Sequence, residues 1–110
     1  MSVVSKTIKY LLDKNISVST AESCTGGLLA AEFTAVSGIS KIYKTGLITY
    51  SNDSKIKNLK VKPSTIKRYG AVSRQVCAQM CLHLHKISKS QLTFSTCLLY
   101  TSDAADEPVC

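Results

Sequence analysis

The segment Thr20-Ala21-Glu22-Ser23-Cys24-Thr25-Gly26-Gly27 follows an alternating run, Ile16, Val18, Thr20, and leads into the apolar stretch Leu28, Leu29, Ala30, Ala31, Phe33. A period of two that gives way, across two glycines, to a continuous apolar run reads as a strand end turning into a helix start. At such a junction backbone N–H groups are free, and glycine lets the chain approach a ligand closely. Open α/β sheets keep their ligand sites at this kind of turn.

The flanking sequence extends the pattern. Val3, Val4, Ile8, Leu11 and Leu12 recur at helical spacing, which predicts an amphipathic helix over 2–14 that Lys14-Asn15 ends. A helix over 26–35 closes at Ser37-Gly38, and a second strand covers 45–50. Ser51 or Asn52 caps a short helix, Pro63 opens another at N1 that Gly70 stops, and Ser73 caps one running to about Lys86. Gln91-Leu92-Thr93-Phe94 reads as a third strand. About three strands separated by four to five helices predict an α/β fold, with helices on both faces of the sheet.

Charge is the next constraint. The chain of 110 residues carries a formal +7, and its bases all lie between Lys6 and Lys89. Of seven acids, three (Asp103, Asp106, Glu107) crowd the end, leaving 14 bases against four acids before them. The bases are mostly lysines at helix-surface spacing without interleaved aromatics, so solvated helix faces are expected rather than a nucleic-acid surface. A small anionic substrate also fits this balance. No apolar run reaches the ~20 residues of a membrane span, and no signal-peptide core is visible, so a cytoplasmic protein without a membrane partner is expected. Five cysteines, an odd number, are expected as free thiols. Cys77, Cys81 and His85 share a helical face, but no fourth ligand is evident; core packing is expected there, and no metal.

Three local features can carry chemistry. At 23–27, free N–H groups and the Thr25 hydroxyl suit a phosphate, although an N-cap by Ser23 or Thr25 explains the same residues. Ser40 follows a glycine turn at Gly38-Ile39, where it is a cap or a nucleophile. In Tyr50-Ser51-Asn52-Asp53-Ser54-Lys55, a lysine falls in the first turn of a helix, the end whose dipole disfavours an ammonium. If partly buried, such a lysine has its pKa pushed down towards that of a general base, with Tyr50 near enough to donate a hydrogen bond; a solvated surface lysine is the alternative. A serine activated by a lysine is a known variant of the catalytic triad.

The run TAESCTGGLLAAEFTAVSGISKIYKTGLITYSNDSKIKNL, with YGAVSRQVCAQMC, resembles the CinA C-terminal domain family, which includes the nicotinamide-nucleotide amidohydrolases. The resemblance extends from about Ile8 to Phe94. It implies a three-layer α/β/α sandwich, a homodimer for the complete domain, and hydrolysis of the carboxamide of nicotinamide mononucleotide to the carboxylate and ammonia, without a cofactor. By motif position it implies Ser40 as nucleophile, with Ser23 as second choice, Lys55 as base and Tyr50 assisting. Glu22, Ser23, Thr25, Gly26 and Gly27 are then expected to line the nucleotide pocket, with Asn52 nearby. The alternative is a non-catalytic competence-related, regulatory or nucleotide-binding domain.

The resemblance stops after Thr96. The family pattern continues with a glycine-proline-rich loop, whereas this chain reads Cys97-Leu98-Leu99-Tyr100-Thr101-Ser102-Asp103-Ala104-Ala105-Asp106-Glu107, which resembles the translation of a transposon-end sequencing adapter. The expectation is therefore an incomplete amidohydrolase domain over 1–96, with 97–110 not native. A sheet cut after its third strand exposes an apolar edge, so the 110-residue chain itself is expected to lack measurable amidase activity.

Overall fold

The computed structural model describes residues 2–96. Its helices are α1 (Val3–Asp13), α2 (Leu28–Thr34), α3 (Asn52–Leu59), α4 (Pro63–Tyr69) and α5 (Arg74–Ser88). Its strands are β1 (Val18–Glu22), β2 (Tyr43–Ile48) and β3 (Leu92–Thr96), and a 3-10 turn, Ile39–Lys41, precedes β2. All pairings are parallel, in the order β2-β1-β3.

Local chemistry explains the boundaries. Ser2, Ser51 and Ser73 each accept a backbone N–H three residues on, from Ser5, Ser54 and Val76, which satisfies an orphan donor at the start of α1, α3 and α5. Pro63 opens α4, and Gly70 ends it.

The central strand divides the core in two. Val18 packs with Ile8 and Leu11 of α1, Phe33 of α2, and Ile39 and Ile42. Ala21 packs on the opposite face with Leu59 of α3, Val61, and Val76, Met80 and Leu84 of α5. Helical layers thus cover both faces of the sheet, as an α/β/α arrangement requires. Every residue of β1 is buried, as a strand covered on both faces must be.

Four expected boundaries shift. β1 does not end at Thr20 but runs through Glu22, and α2 starts at Leu28 rather than Gly26. β2 covers 43–48 rather than 45–50, and β3 covers 92–96 rather than 91–94. Polar residues hid the extent of β1, because burial on both faces removes the alternation. Ser19 instead meets Ser90 at 2.5 Å, and Thr20 meets the Tyr43 hydroxyl at 2.5 Å. Gly27, with φ of +104°, supplies the left-handed turn that delays α2.

The strand order also locates the mouth of the sheet. The chain leaves the carboxyl end of β1 towards β2 on one side, and β3 lies on the other. There Thr25 Oγ1 and Thr96 Oγ1 lie 3.0 Å apart. The expected non-native segment 97–110 lies outside the described residues.

Candidate active site

Glu22 is the last residue of β1 and is 1% exposed. Its carboxylate turns under the start of α2. Oε1 accepts from Leu29 N at 2.8 Å and from the Thr25 hydroxyl at 2.8 Å, and Oε2 accepts from Ala30 N at 2.9 Å. An anion thus already occupies the helix N-terminus, and it belongs to the protein. This corrects two expectations. The first N–H groups of α2 do not await a phosphate, and neither Ser23 nor Thr25 caps the helix. Glu22 builds the turn from beneath it and is not free to face a nucleotide.

Having donated its proton to Glu22, the Thr25 hydroxyl accepts that of Thr96. Gly26 and Gly27 complete the turn with φ of +61° and +104°. A Cβ built on Gly27 would lie 3.0 Å from Ile48 Cδ1, so the turn also packs closely on the end of β2.

Beyond Glu22, the ends of β1 and β2 stay paired: Thr49 N donates to Glu22 O at 2.9 Å, one step past the Glu22–Ile48 pair. Ala21 and Leu47 pack in the core formed by α3 and α5, and Ser23 and Thr49 follow them by two residues, just past the strand ends at Glu22 and Ile48. Leu59 of α3 packs on Ala21, and Lys55 lies one turn before Leu59 on the same side of α3. Two residues of strand and one turn of helix cover nearly the same distance, about 6 Å. Ser23, Thr49 and Lys55 are thus three polar residues that follow the Ala21–Leu47–Leu59 apolar cluster at the carboxyl ends of β1 and β2 and the start of α3. All three are buried, at 2%, 1% and 2% exposure. Lys55 Nζ donates to the Tyr50 carbonyl at 3.1 Å.

Ser40 lies elsewhere. It is exposed, in the 3-10 turn that precedes β2, whereas Lys55 follows the carboxyl end of that strand. The six residues of β2 between these ends span on the order of 20 Å. The expected Ser40–Lys55 pair is thus not formed within the chain, because glycine-turn serine and helix lysine flank opposite ends of one strand. Tyr50 is corrected in a smaller way. Its side chain is 70% exposed, and it meets Lys55 through its backbone carbonyl. Asn52, the first residue of α3, is exposed.

Thr49 went unassigned in the sequence, where it is one β-branched residue in a strand-like run. Only its place distinguishes it: it follows Leu47 by two residues, just past the end of β2. Its hydroxyl has no hydrogen-bond partner, and it is the one buried side-chain polar atom among the described residues of which this is true.

The cysteine–histidine stripe of α5 is directed at β3. Cys77 Sγ lies 3.0 Å from Ser95 Oγ, Cys81 Sγ donates to Thr93 O at 3.3 Å, and His85 Nδ1 lies 2.8 Å from Thr93 Oγ1. Burial pushes the Cys81 thiol above its ordinary 9.0, a shift that a hydrogen bond with Ser95 opposes and Cys77 reinforces. Among the described residues no three His, Cys, Asp or Glu side chains are grouped to hold a metal ion. No described helix is long and apolar enough to cross a membrane.

A family model for the CinA C-terminal domain matches residues 1–97. The chain belongs to that family. A competence-damage inducible protein of Clostridium novyi (strain NT) is 50% identical to this CinA domain over 88 residues, covering 80% of the chain and 21% of the relative. One from Acetivibrio thermocellus is 48% identical over 84 residues, covering 76% of the chain and 20% of the relative. The chain thus spans about a fifth of the length of the curated relatives it matches. Among solved structures, the competence/damage inducible protein CihA from Agrobacterium tumefaciens superposes with a TM-score of 0.82 at 32% identity, covering 99% of the chain and 72% of that protein. A competence-damaged protein (CinA) superfamily protein from Escherichia coli gives 0.80 at 28% identity, covering 96% and 62%. The parallel α/β fold described above is that of these CinA proteins.

Proposed function

We propose that this CinA domain contributes the reactive half of a nicotinamide-nucleotide amidohydrolase, a cytoplasmic enzyme that converts nicotinamide mononucleotide and water to nicotinate mononucleotide and ammonia. The observation that carries the reading is that a lysine, Lys55, and a serine, Ser23, are both buried at the carboxyl end of a parallel sheet. Burial of a cationic side chain is costly and favours its neutral form. A neutral amine beside a serine hydroxyl is a base beside a nucleophile.

In this reading Ser23, not Ser40, attacks the carboxamide carbon as Lys55 takes its proton. That proton passes to the departing nitrogen, which leaves as ammonia. Water then hydrolyses the acyl ester, with Lys55 again taking and returning a proton, which frees the carboxylate. The Tyr50 carbonyl orients Lys55 by accepting one of its N–H bonds. Thr25, Gly26 and Gly27 line the nucleotide side of the site, with Asn52 at its rim, and Glu22 holds their turn in shape.

The test is ammonia release from nicotinamide mononucleotide by the full-length protein that carries residues 1–96. Lys55→Met is expected to abolish turnover while the circular dichroism spectrum and melting temperature stay close to those of the parent. A folded full-length protein that leaves this substrate untouched overturns the reading. A second reading, a non-catalytic binding or regulatory domain, draws on the competence-related names of relatives about four times as long. It predicts nucleotide binding without ammonia release, unaltered by Lys55→Met.

A further inference from the structure

Thr49 is 1% exposed, and its Oγ1 has no hydrogen-bond partner among the described residues. A buried hydroxyl left unpaired is costly relative to a paired one, and an isosteric valine would escape that cost. The orphan is not at a random place. The backbone of Thr49 bonds to Glu22 O, the residue before Ser23, so Thr49 and Ser23 leave the ends of two neighbouring paired strands, about 4.8 Å apart, at the same level. On the other flank, the carbonyl of the next residue, Tyr50, holds Lys55 Nζ.

We propose that Thr49 is a positioning residue for Ser23: its O–H donates to Ser23 Oγ as that oxygen gives up its proton to Lys55. This rests on the amidase reading for the identity of the nucleophile. Chemistry assigns the direction of the bond. A serine oxygen has one hydrogen and two lone pairs. The hydrogen goes to Lys55 and leaves its bonding pair on the oxygen; one pair then forms the new bond to the substrate carbon, and two remain to accept from a donor. Thr49 is a buried donor without a hydrogen-bond partner among the described residues. A hydrogen bond formed only as charge develops on Ser23 lowers the barrier without tightening the ground state, so it raises kcat and leaves KM unchanged.

Thr49→Val and Thr49→Ser in the full-length protein test this in three measurements. The first is steady-state hydrolysis of nicotinamide mononucleotide. The second is the rate at which phenylmethylsulfonyl fluoride modifies Ser23, read by peptide mass spectrometry; an O–S bond forms, fluoride leaves, and the serine proton passes to Lys55. The third is the melting temperature. For Thr49→Val the expectation is a fall in kcat of about 100-fold with KM within about threefold, a comparable slowing of Ser23 labelling, and an equal or higher melting temperature. Thr49→Ser should recover most of both rates.

A valine variant with unchanged kcat and labelling overturns the inference, as does one whose KM rises at constant kcat, which would make Thr49 a substrate contact. Ser23 that the sulfonyl fluoride never modifies overturns it as well. If Ser23 is modified and Thr49→Val slows that reaction, but the parent releases no ammonia from the nucleotide, the substrate assignment fails and the role of Thr49 stands.

Discussion

Glu22 holds the amide of Leu29 at 2.8 Å, so the first turn of α2 is capped by the last residue of the strand before it. The seven-residue spacing lets one side chain fix the whole intervening turn, since the same carboxylate also binds Thr25 and Ala30 N. Three donors converge on two oxygens, and none of the three is charged.

Glu22→Gln tests this arrangement. Glutamine keeps the shape but replaces one acceptor with an NH2 group, which must then face a backbone N–H or the Thr25 hydroxyl. The expected result is a loss of about 1–3 kcal/mol in stability, measured by urea unfolding, because a buried donor is left unpaired. A variant as stable as the parent would show that the cap contributes little.

Gly46 sits on β2 for a different reason from the turn glycines. A Cβ there would lie 2.3 Å from the Tyr43 hydroxyl and 2.9 Å from Thr20 Oγ1. The Tyr43 ring is fixed by its stack on Phe33, with centroids 5.2 Å apart, so it has little room to retreat. Gly46→Ala is expected to destabilise the protein by about 1–3 kcal/mol, as overpacking does, and to break the Tyr43–Thr20 bond. Unfolding curves read the first effect. Tyrosine absorbance under alkaline titration reads the second.

The same tyrosine makes stability depend on alkaline pH. Desolvation raises the Tyr43 pKa above 10.0; the hydrogen bond with Thr20 opposes the shift, and the charge of Glu22 adds to it. The folded state thus holds the phenolic proton to a higher pH than the unfolded chain does. The proton count of the unfolded state drops first, so stability falls as pH rises from about 10 towards the folded pKa. Denaturant midpoints of the parent and Tyr43→Phe between pH 8 and 11 should converge as pH rises. Parallel midpoint curves would rule out this linkage.

Much of the fold was legible because its signals are local. Ser51, Pro63, Gly70 and Ser73 each act within a few residues, and the helices they bound fall where their chemistry predicts. The strand limits were harder. Ser19, Thr20 and Glu22 look like turn residues until Ser90, Tyr43 and the amides of α2 are known to satisfy them. The site was legible in its parts, since Ser23 and Lys55 both stood out, but not in their pairing. Which serine faces the lysine depends on strand direction and on side-chain parity, and neither is visible in a motif. Thr49 was invisible for a related reason: only an inventory of buried hydrogen bonds singles it out.

That pairing gives the sharpest prediction about catalysis. Ser23 and Lys55 are both buried just past the carboxyl ends of β1 and β2, and Ser40 is exposed beyond the opposite end of β2. In the full-length protein, Ser23→Ala should lower amidase kcat by at least about 1,000-fold, because no other described hydroxyl in that group except Thr49 can replace the nucleophile. Ser40→Ala should stay within about threefold of the parent. A Ser40→Ala variant that loses activity while Ser23→Ala keeps it would require Ser40 to reach a lysine outside its own chain. Mixing Ser40→Ala with Lys55→Met protein then decides that point. Activity restored by the mixture would establish a site shared between two copies, and none restored would leave Ser40 without a base.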